Sequence, residues 1–348
     1  MSVIPKSEYR FLGPTGLRVS SISLGGWITY GEGKQVEDEK TLAIFDKAFK
    51  LGINYFDTAE AYGAGACEVS FGKVIKKLGW KRTDYVISTK LFWGGEGVND
   101  RGLSRKHIIE GLDAALARLQ HDYVDIVFAH RPDPYTPIEE VVRAFTQVIN
   151  DGKAHYWGTS MWNAYEIEAA QHAATKYGLI APVVEQPIYN LIDREFFEKE
   201  LAPIFKTYNY GTTVFSPLAT GLLTGKYATG IPKGSRYDAD NLGKDGSLPG
   251  IFKQRFEEEE GKKNFIKINK FADIAKDLEV EPAQLALAFL LTNKNVSTLI
   301  TGASRPEQLE ANLKAYDVLP KLTPDVIAKI EEVFDNKPEP RPDFGRLG

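Results

Sequence analysis

Hydrophobic and polar positions follow two alternating regimes along this chain. Short apolar runs of strand length occur at residues 21–27, 53–56, 84–90, 123–130, 155–160, 182–190, 212–219 and 296–304. Between most of them lie longer stretches whose apolar positions recur at helical spacing. In residues 36–52 these are Leu42, Phe45, Ala48, Phe49 and Leu51, closed by Gly52 as a C-terminal stop. The same reading predicts helices over 67–79, 104–120, 136–153, 163–177, 194–208, 264–278, 282–293, 305–316 and 323–334. Ser104 suits an N-cap and Pro137 a first turn. Ahead of the first run, residues 9–19 read as a small hairpin with Pro14 and Gly16 in its turn. The rhythm breaks once, from Thr220 to about Gly250, where Gly, Lys, Asp and Pro dominate without a period. A loop this long in a compact domain is usually functional.

Eight strands joined by helices imply parallel pairing buried on both faces. Eight such units close into a (β/α)8 TIM barrel, so the fold class is α/β with an N-terminal β-hairpin. The competing fold, an open doubly wound sheet, calls for a glycine fingerprint after its first strand; no G-x-G-x-x-G occurs. No linker, repeat or low-complexity segment divides the chain, so residues 1–348 read as a single domain.

Composition narrows the classes. A net charge of −4 with both signs interspersed argues against a nucleic-acid surface. The acidic run 257–260, followed by Lys262 and Lys263, reads as a solvated helix face. Cys67 is the single cysteine, which rules out an intrachain disulfide and fits a reducing compartment. No run approaches the roughly 18 apolar residues of a membrane span, and the N-terminus lacks the apolar core of a signal peptide. The expected location is cytoplasmic, without membrane insertion.

Chemistry concentrates at three successive strand ends, where a barrel of this type places its active site. Asp57 and Tyr62 follow the second barrel strand, Lys90 ends the third and His130 the fourth. This set suits carbonyl reduction. Hydride arriving at carbon puts negative charge on oxygen, and an acid must meet it. Tyr62 is the proton donor, eased by a neighbouring Lys90 ammonium that lowers the phenol's pKa. Asp57 holds Lys90 charged, and His130 adds a second donor. Trp27, Tyr30, Phe92, Trp93 and Trp162 fall in or near loops at the barrel mouth and predict a partly aromatic aldehyde pocket. Other chemistries find no footing. GLLTGKY fails as a phosphate-binding P-loop on glycine spacing and on Tyr227 after the lysine. The remaining histidines are scattered, so no metal site is expected, and no G-x-S-x-G elbow occurs.

The segments GINYFDTAEAYG, STKLFWGG, RGLSRKHIIEGLDAALARLQ, HRPDPYTPIEE, YWGTS, FSPLATGLLTGKY and GASRPEQL together resemble the aldo-keto reductases. The likeness is greatest to the branch containing the beta subunits of voltage-gated potassium channels, and it runs from about Tyr9 to about Pro338. It implies catalytic roles for Asp57, Tyr62, Lys90 and His130. The animal channel subunits commonly carry Asn at the last position, so His130 favours a competent reductase. The resemblance also implies an NADPH/NADP+ site. Gly26, Trp27, Gln35 and Asp57 would line its near side. Ser160, Met161, Gln186 and Phe215 would meet the nicotinamide. Ser216, Pro217, Leu218, Ala219 and Lys226 would take the pyrophosphate, and Arg236, Gly302, Ser304, Gln308 and Asn312 the adenosine end. Lys226 and Arg236 suit a 2′-phosphate, which favours NADPH over NADH. The loop after the seventh strand would clamp the cofactor. Substrate would touch Trp27, Tyr62, Trp93 and His130. Met161, Gly234 and Ala311 depart from the branch's usual Arg, Tyr and Glu and bear on how tightly the cofactor is held. The partners implied are a small-molecule carbonyl, a homotetramer of this chain, and a potassium channel alpha subunit.

Overall fold

The computed structural model describes residues 6–27, 29–31, 38–227, 230–233, 235, 237–238, 257–339 and 344–345. Eight parallel strands close a barrel in sequence order: β3 (Ile22–Gly25), β4 (Tyr55–Asp57), β5 (Val86–Leu91), β6 (Val124–Ala129), β7 (Ala154–Ser160), β8 (Val184–Gln186), β9 (Gly211–Val214) and β10 (Thr298–Thr301), with β10 pairing back onto β3. Helices α1 (Asp38–Lys50), α2 (Ala66–Leu78), α3 (Arg105–Leu119), α4 (Ile138–Asn150), α5 (Ala164–Tyr177) and α6 (Ala202–Tyr208) follow the strands in turn. Helices α7 (Glu259–Asp277) and α8 (Pro282–Leu291) precede β10, and α9 (Pro306–Leu313), α10 (Ala315–Val318) and α11 (Pro324–Phe334) follow it. The barrel, its hairpin and every predicted helix are present.

Strand periodicity sorts the side chains into two cores. Tyr55, Val86, Ile126, Phe128, Val184 and Ile300 form one buried cluster with Leu12 and Val19. These are the inward-facing residues of the barrel. Outward-facing neighbours such as Phe56, Ile87, Leu91, Val127 and Trp157 join the larger cluster under the helices. The same parity carries upward along each strand: Val86, Ser88, Lys90; Tyr55, Asp57; Ile126, Phe128, His130; Val184, Gln186. Apolar layers below thus hand over to a polar layer at the C-terminal mouth. Gly158 sits inside the barrel because a Cβ there would lie 2.5 Å from the Val184 carbonyl oxygen and 2.8 Å from the Phe128 ring.

The hairpin, β1 (Tyr9–Phe11) and β2 (Arg18–Ser20), pairs antiparallel. Its Leu12 and Val19 plug the opposite end of the barrel from the polar layer.

Several elements differ from the expectation; the helix expected over 305–316, for one, is divided into α9 and α10. The helix expected over 194–208 opens as a π-turn, Phe196–Glu200, before α6. Pro203 explains this: it has no N–H to donate and would crowd the carbonyl one turn back, so a wider turn absorbs the mismatch. Helix α7 begins at Glu259 instead of 264, because exposed carboxylates are favoured at a helix N-terminus. Asp57 closes strand β4 instead of opening the loop after it. Among the described residues no helix is long and apolar enough to cross a membrane.

Candidate active site

The polar layer centres on Lys90. Its Nζ donates to Asp57 Oδ2 (2.6 Å), to the Thr58 carbonyl (2.7 Å) and to the Tyr62 hydroxyl (2.9 Å). An ammonium has three N–H groups, so every one is engaged. Lys90 and Asp57 are both buried. The second Asp57 oxygen accepts from Ser88 Oγ (2.8 Å) and Gln186 Nε2 (3.0 Å). Gln186 also donates to Thr213 Oγ1 (3.2 Å). Asp57 is therefore fixed by three strands and pairs with the lysine.

Tyr62 stands on a loop tied to β5 by Glu60. The Glu60 N–H donates to the Lys90 carbonyl (3.2 Å), and its carboxylate accepts from the Phe92 N–H (2.6 Å). His107 Nε2 lies 3.0 Å from the same carboxylate. This places the phenol oxygen where it accepts from Lys90, which leaves its own proton to be given elsewhere. His130 follows β6, its ring centroid 6.0 Å from that of Tyr62 and 4.8 Å from that of Trp93. Its Nδ1 is buried without a hydrogen-bond partner among the described residues.

Burial works against the expected easing of the phenol. Burial, then the Asp57 carboxylate, push the Tyr62 phenol well above the usual tyrosine range. The Lys90 N–H given to the phenol oxygen favours the phenolate, but burial and the Asp57 carboxylate outweigh it. The consequence is a phenol that stays protonated. Burial pulls the Lys90 ammonium down, and Asp57 pulls it back up. Burial, Lys90 and Arg131 hold His130 well below the usual imidazole range, so it is neutral.

The aromatic pocket is smaller than expected. Tyr30 is buried against Phe45 and Phe71, with its hydroxyl on the Ala303 carbonyl. Trp162 is also buried in the core under the helices. Neither side chain is exposed. Phe92 packs at the edge of that core. Trp93 does stand at the mouth, edge-on to His130 and 37% exposed, and Trp27 is half-buried beside Gly26.

The positions assigned by resemblance to a cofactor fall as follows. Ser160 ends β7, its hydroxyl donating to the Gln186 carbonyl (2.9 Å). Met161 comes next with φ of 56°, a left-handed conformation for a branchless but bulky residue, and its sulfur accepts from the Ile188 N–H (3.4 Å). Phe215, Ser216, Pro217, Leu218 and Ala219 continue from β9, and a 3-10 turn spans Ala219–Thr224. Ser216, Ala219, Thr220 and Gly221 are all left-handed, so this loop holds strained backbone of the kind found at binding sites. The Lys226 chain lies across Gly221. Gln308 Oε1 accepts from the Ser304 N–H (2.7 Å) and the Arg305 N–H (3.2 Å), so Gln308 forms a capping box with Arg305 at the start of α9 and holds Ser304 beside it. Asn312 is buried one turn further along. Among the described residues, a Cβ on Gly302 would meet only Thr29 Oγ1, at 3.7 Å. Gly26 has a packing reason to be glycine: a Cβ would lie 2.3 Å from Cys67 Sγ. Gln35, Gly234 and Arg236, with most of the loop beyond 238, lie outside the described residues. These strand-end amides and hydroxyls fit a nicotinamide cofactor. No group of three or more metal-ligating side chains occurs among the described residues.

Sequence reasoning missed several supporting residues. Ser88 was legible, since it lies two positions before Lys90 on one strand and must face the same way. Glu60, Arg131 and Glu185 lie beside site residues in sequence, but which groups their side chains meet is set by tertiary packing and was not legible. Arg131 Nη1 donates to the His130 carbonyl (2.5 Å), and its guanidinium sits 5.4 Å from the Trp93 ring centroid. Glu185 faces outward from β8 and is fully buried. It accepts from Thr159 Oγ1 and, at 3.2 Å, from the Trp162 N–H. Burial pushes its carboxyl up to about 8.

A profile of the Aldo/keto reductase family matches residues 21–335. Three similar proteins bear names that assign them, provisionally, as voltage-gated potassium channel beta subunits. One from Schizosaccharomyces pombe is 53% identical over 338 residues, covering 96% of this chain and 95% of its own. One from Oryza sativa subsp. japonica is 47% identical, covering 95% and 98%. One from Arabidopsis thaliana is 46% identical, covering 97% and 100%. With the barrel and its polar mouth in place, the conclusion is that this chain belongs to the aldo/keto reductase family.

Proposed function

We propose that this protein reduces aldehydes or ketones to alcohols with NADPH, using Tyr62 as proton donor. The observation that carries the reading is the hydrogen bond from Lys90 Nζ to the Tyr62 oxygen, backed by the buried Asp57. The cofactor, when bound, supplies the hydride. Ser160 and Gln186 would orient its nicotinamide ring, with Phe215 beside it. Lys226 and Arg236 would meet its phosphates.

Every other step belongs to the chain. The carbonyl oxygen approaches Tyr62 and the neutral His130, which offers an N–H without adding charge. Tyr62 gives its proton to the oxygen as negative charge develops there. The phenolate left behind is met by the Lys90 N–H, already aimed at that atom. Asp57 keeps the ammonium charged while its second oxygen is satisfied by Ser88 and Gln186. Trp93 and Trp27 would bound the substrate.

Tyr62→Phe tests this reading. It removes the phenolic hydroxyl and leaves the ring in place, so NADPH binding, followed by fluorescence titration, is retained. The aldehyde reduction rate falls ~10²-fold or more, the scale for loss of a general acid. Full activity in the variant would refute the role.

The names of the relatives, voltage-gated potassium channel beta subunits, favour a second, compatible reading: a regulator that docks on a potassium channel alpha subunit, for which a cofactor-bound homotetramer is the expected form. Sedimentation of the purified protein, alone and with the cytoplasmic part of such a subunit, tests it. A monomer that does not bind would count against it.

A further inference from the structure

We propose that Arg131 recognises an anionic group on the substrate, so that the reductase proposed above, on which this inference rests, prefers aldehydes carrying a carboxylate. Arg131 is half-buried at the mouth, directly after His130. Its guanidinium lies over Trp93 at 5.4 Å from the ring centroid. Nη1 donates to the His130 carbonyl and reaches Ser160 Oγ at 3.4 Å. A guanidinium has five N–H donors. Among the described residues no hydrogen bond engages Nε or Nη2, and no carboxylate stands within ion-pair distance.

A cation partly removed from water without a counter-charge is costly, and an anionic ligand recovers that cost. The surroundings leave the charge uncancelled. Asp57 is committed to Lys90 at 2.6 Å. His130 is neutral. Glu185, whose charge would act on Arg131, is bound by Thr159 and the Trp162 N–H, and burial favours its protonated form. The pocket therefore carries a net positive charge beside the reacting centre. A planar guanidinium matches a carboxylate through two parallel hydrogen bonds. Trp93 beneath it offers a flat apolar wall to a substrate ring.

The test compares 4-carboxybenzaldehyde with its methyl ester, a neutral molecule of similar shape. The ester is the more electron-poor and the more easily reduced by intrinsic reactivity, so a preference for the acid must come from the protein. The wild-type ratio of kcat/KM, acid over ester, should fall roughly 10- to 100-fold in Arg131→Met, mainly through KM, the scale of a hydrogen bond to a charged group. Arg131→Lys should restore part of it. Raising the salt concentration should weaken the wild-type preference. Benzoate should bind the NADP+ complex in calorimetry, and Arg131→Met should abolish that binding. An unchanged ratio in Arg131→Met overturns the inference. So does an equal loss on both aldehydes with weakened NADPH binding, which would make Arg131 a partner of the cofactor. If wild-type protein oxidises NADPH with neither aldehyde, the reductase reading fails. The benzoate titration then decides alone: binding lost in Arg131→Met keeps the anion site, and no binding to wild type removes it.

Discussion

Lys90 spends all three N–H groups on Asp57, Thr58 and Tyr62, deep in the barrel mouth where nothing else can neutralise Asp57. Lys90→Met should therefore destabilise the fold by about 3–5 kcal/mol, the scale of leaving a buried charge uncompensated. Adding Asp57→Asn should recover part of that loss, because it removes the stranded charge. Urea denaturation of the single and double variants measures both. If Lys90→Met is as stable as wild type, the pair is not the buried ion pair described. The titrations carry a second expectation. Tyr62 stays protonated above the usual tyrosine range and His130 stays neutral below the usual imidazole range. The kcat/KM profile for reduction should thus be flat through pH ~6.5, where an ordinary histidine titrates. A limb at that pH that disappears in His130→Asn would contradict this. At this scale the four central residues were legible, because polar groups at strand ends of a barrel have few other reasons to be there. The sign of the shift on Tyr62 was not legible. It depends first on how fully the phenol is buried and then on the nearby Asp57 carboxylate, which spacing along the chain does not convey.

Elements show how the site is held. Glu185 ties β8 to the turn after β7 through the Trp162 N–H, next to left-handed Met161 and to Ser160. Its folded carboxyl keeps its proton up to about 8, against an ordinary value of 4.5. Between those values the folded state binds more protons than the unfolded one, so this group makes stability fall as pH rises. Glu185→Gln keeps the shape and removes the titration. The melting temperature of the variant should decline less than that of wild type from about pH 5 to about pH 9. Parallel curves would show that Glu185 does not carry the shift. Helix boundaries were the less legible part. Asn163 and Glu166 form a capping box at the start of α5, and there the expected and observed limits agree. The stretch from 194 to 208 has no such marker, and Pro203 breaks it into a π-turn and a short helix. The outward face of β8 was unreadable in advance, since a glutamate in a strand is ordinarily exposed.

At the scale of the whole molecule, the barrel was readable because strand and helix periods alternate eight times with little interruption. The loop after β9 was not, since its residues follow no period and part of it lies outside the described residues. The two ends of the barrel separate stability from chemistry. Leu12 from the hairpin is buried against Val86, Ile126 and Val184 at the closed end. Leu12→Ala should cost about 2–5 kcal/mol of stability while leaving the reduction rate of the folded protein intact, as checked by denaturation and by steady-state turnover. A large loss of kcat without loss of stability would mean the closed end communicates with the mouth. The claim on which the molecule's function turns is that Tyr62 delivers a proton while the nicotinamide gives up its hydride. The most direct measurement is a stopped-flow trace of bound NADPH mixed with an aldehyde, in wild type and in Tyr62→Phe. The account predicts rapid single-turnover loss of NADPH absorbance in wild type and a trace at least ~10²-fold slower in the variant. Equal rates in the two proteins, or no loss of NADPH in either, would contradict it.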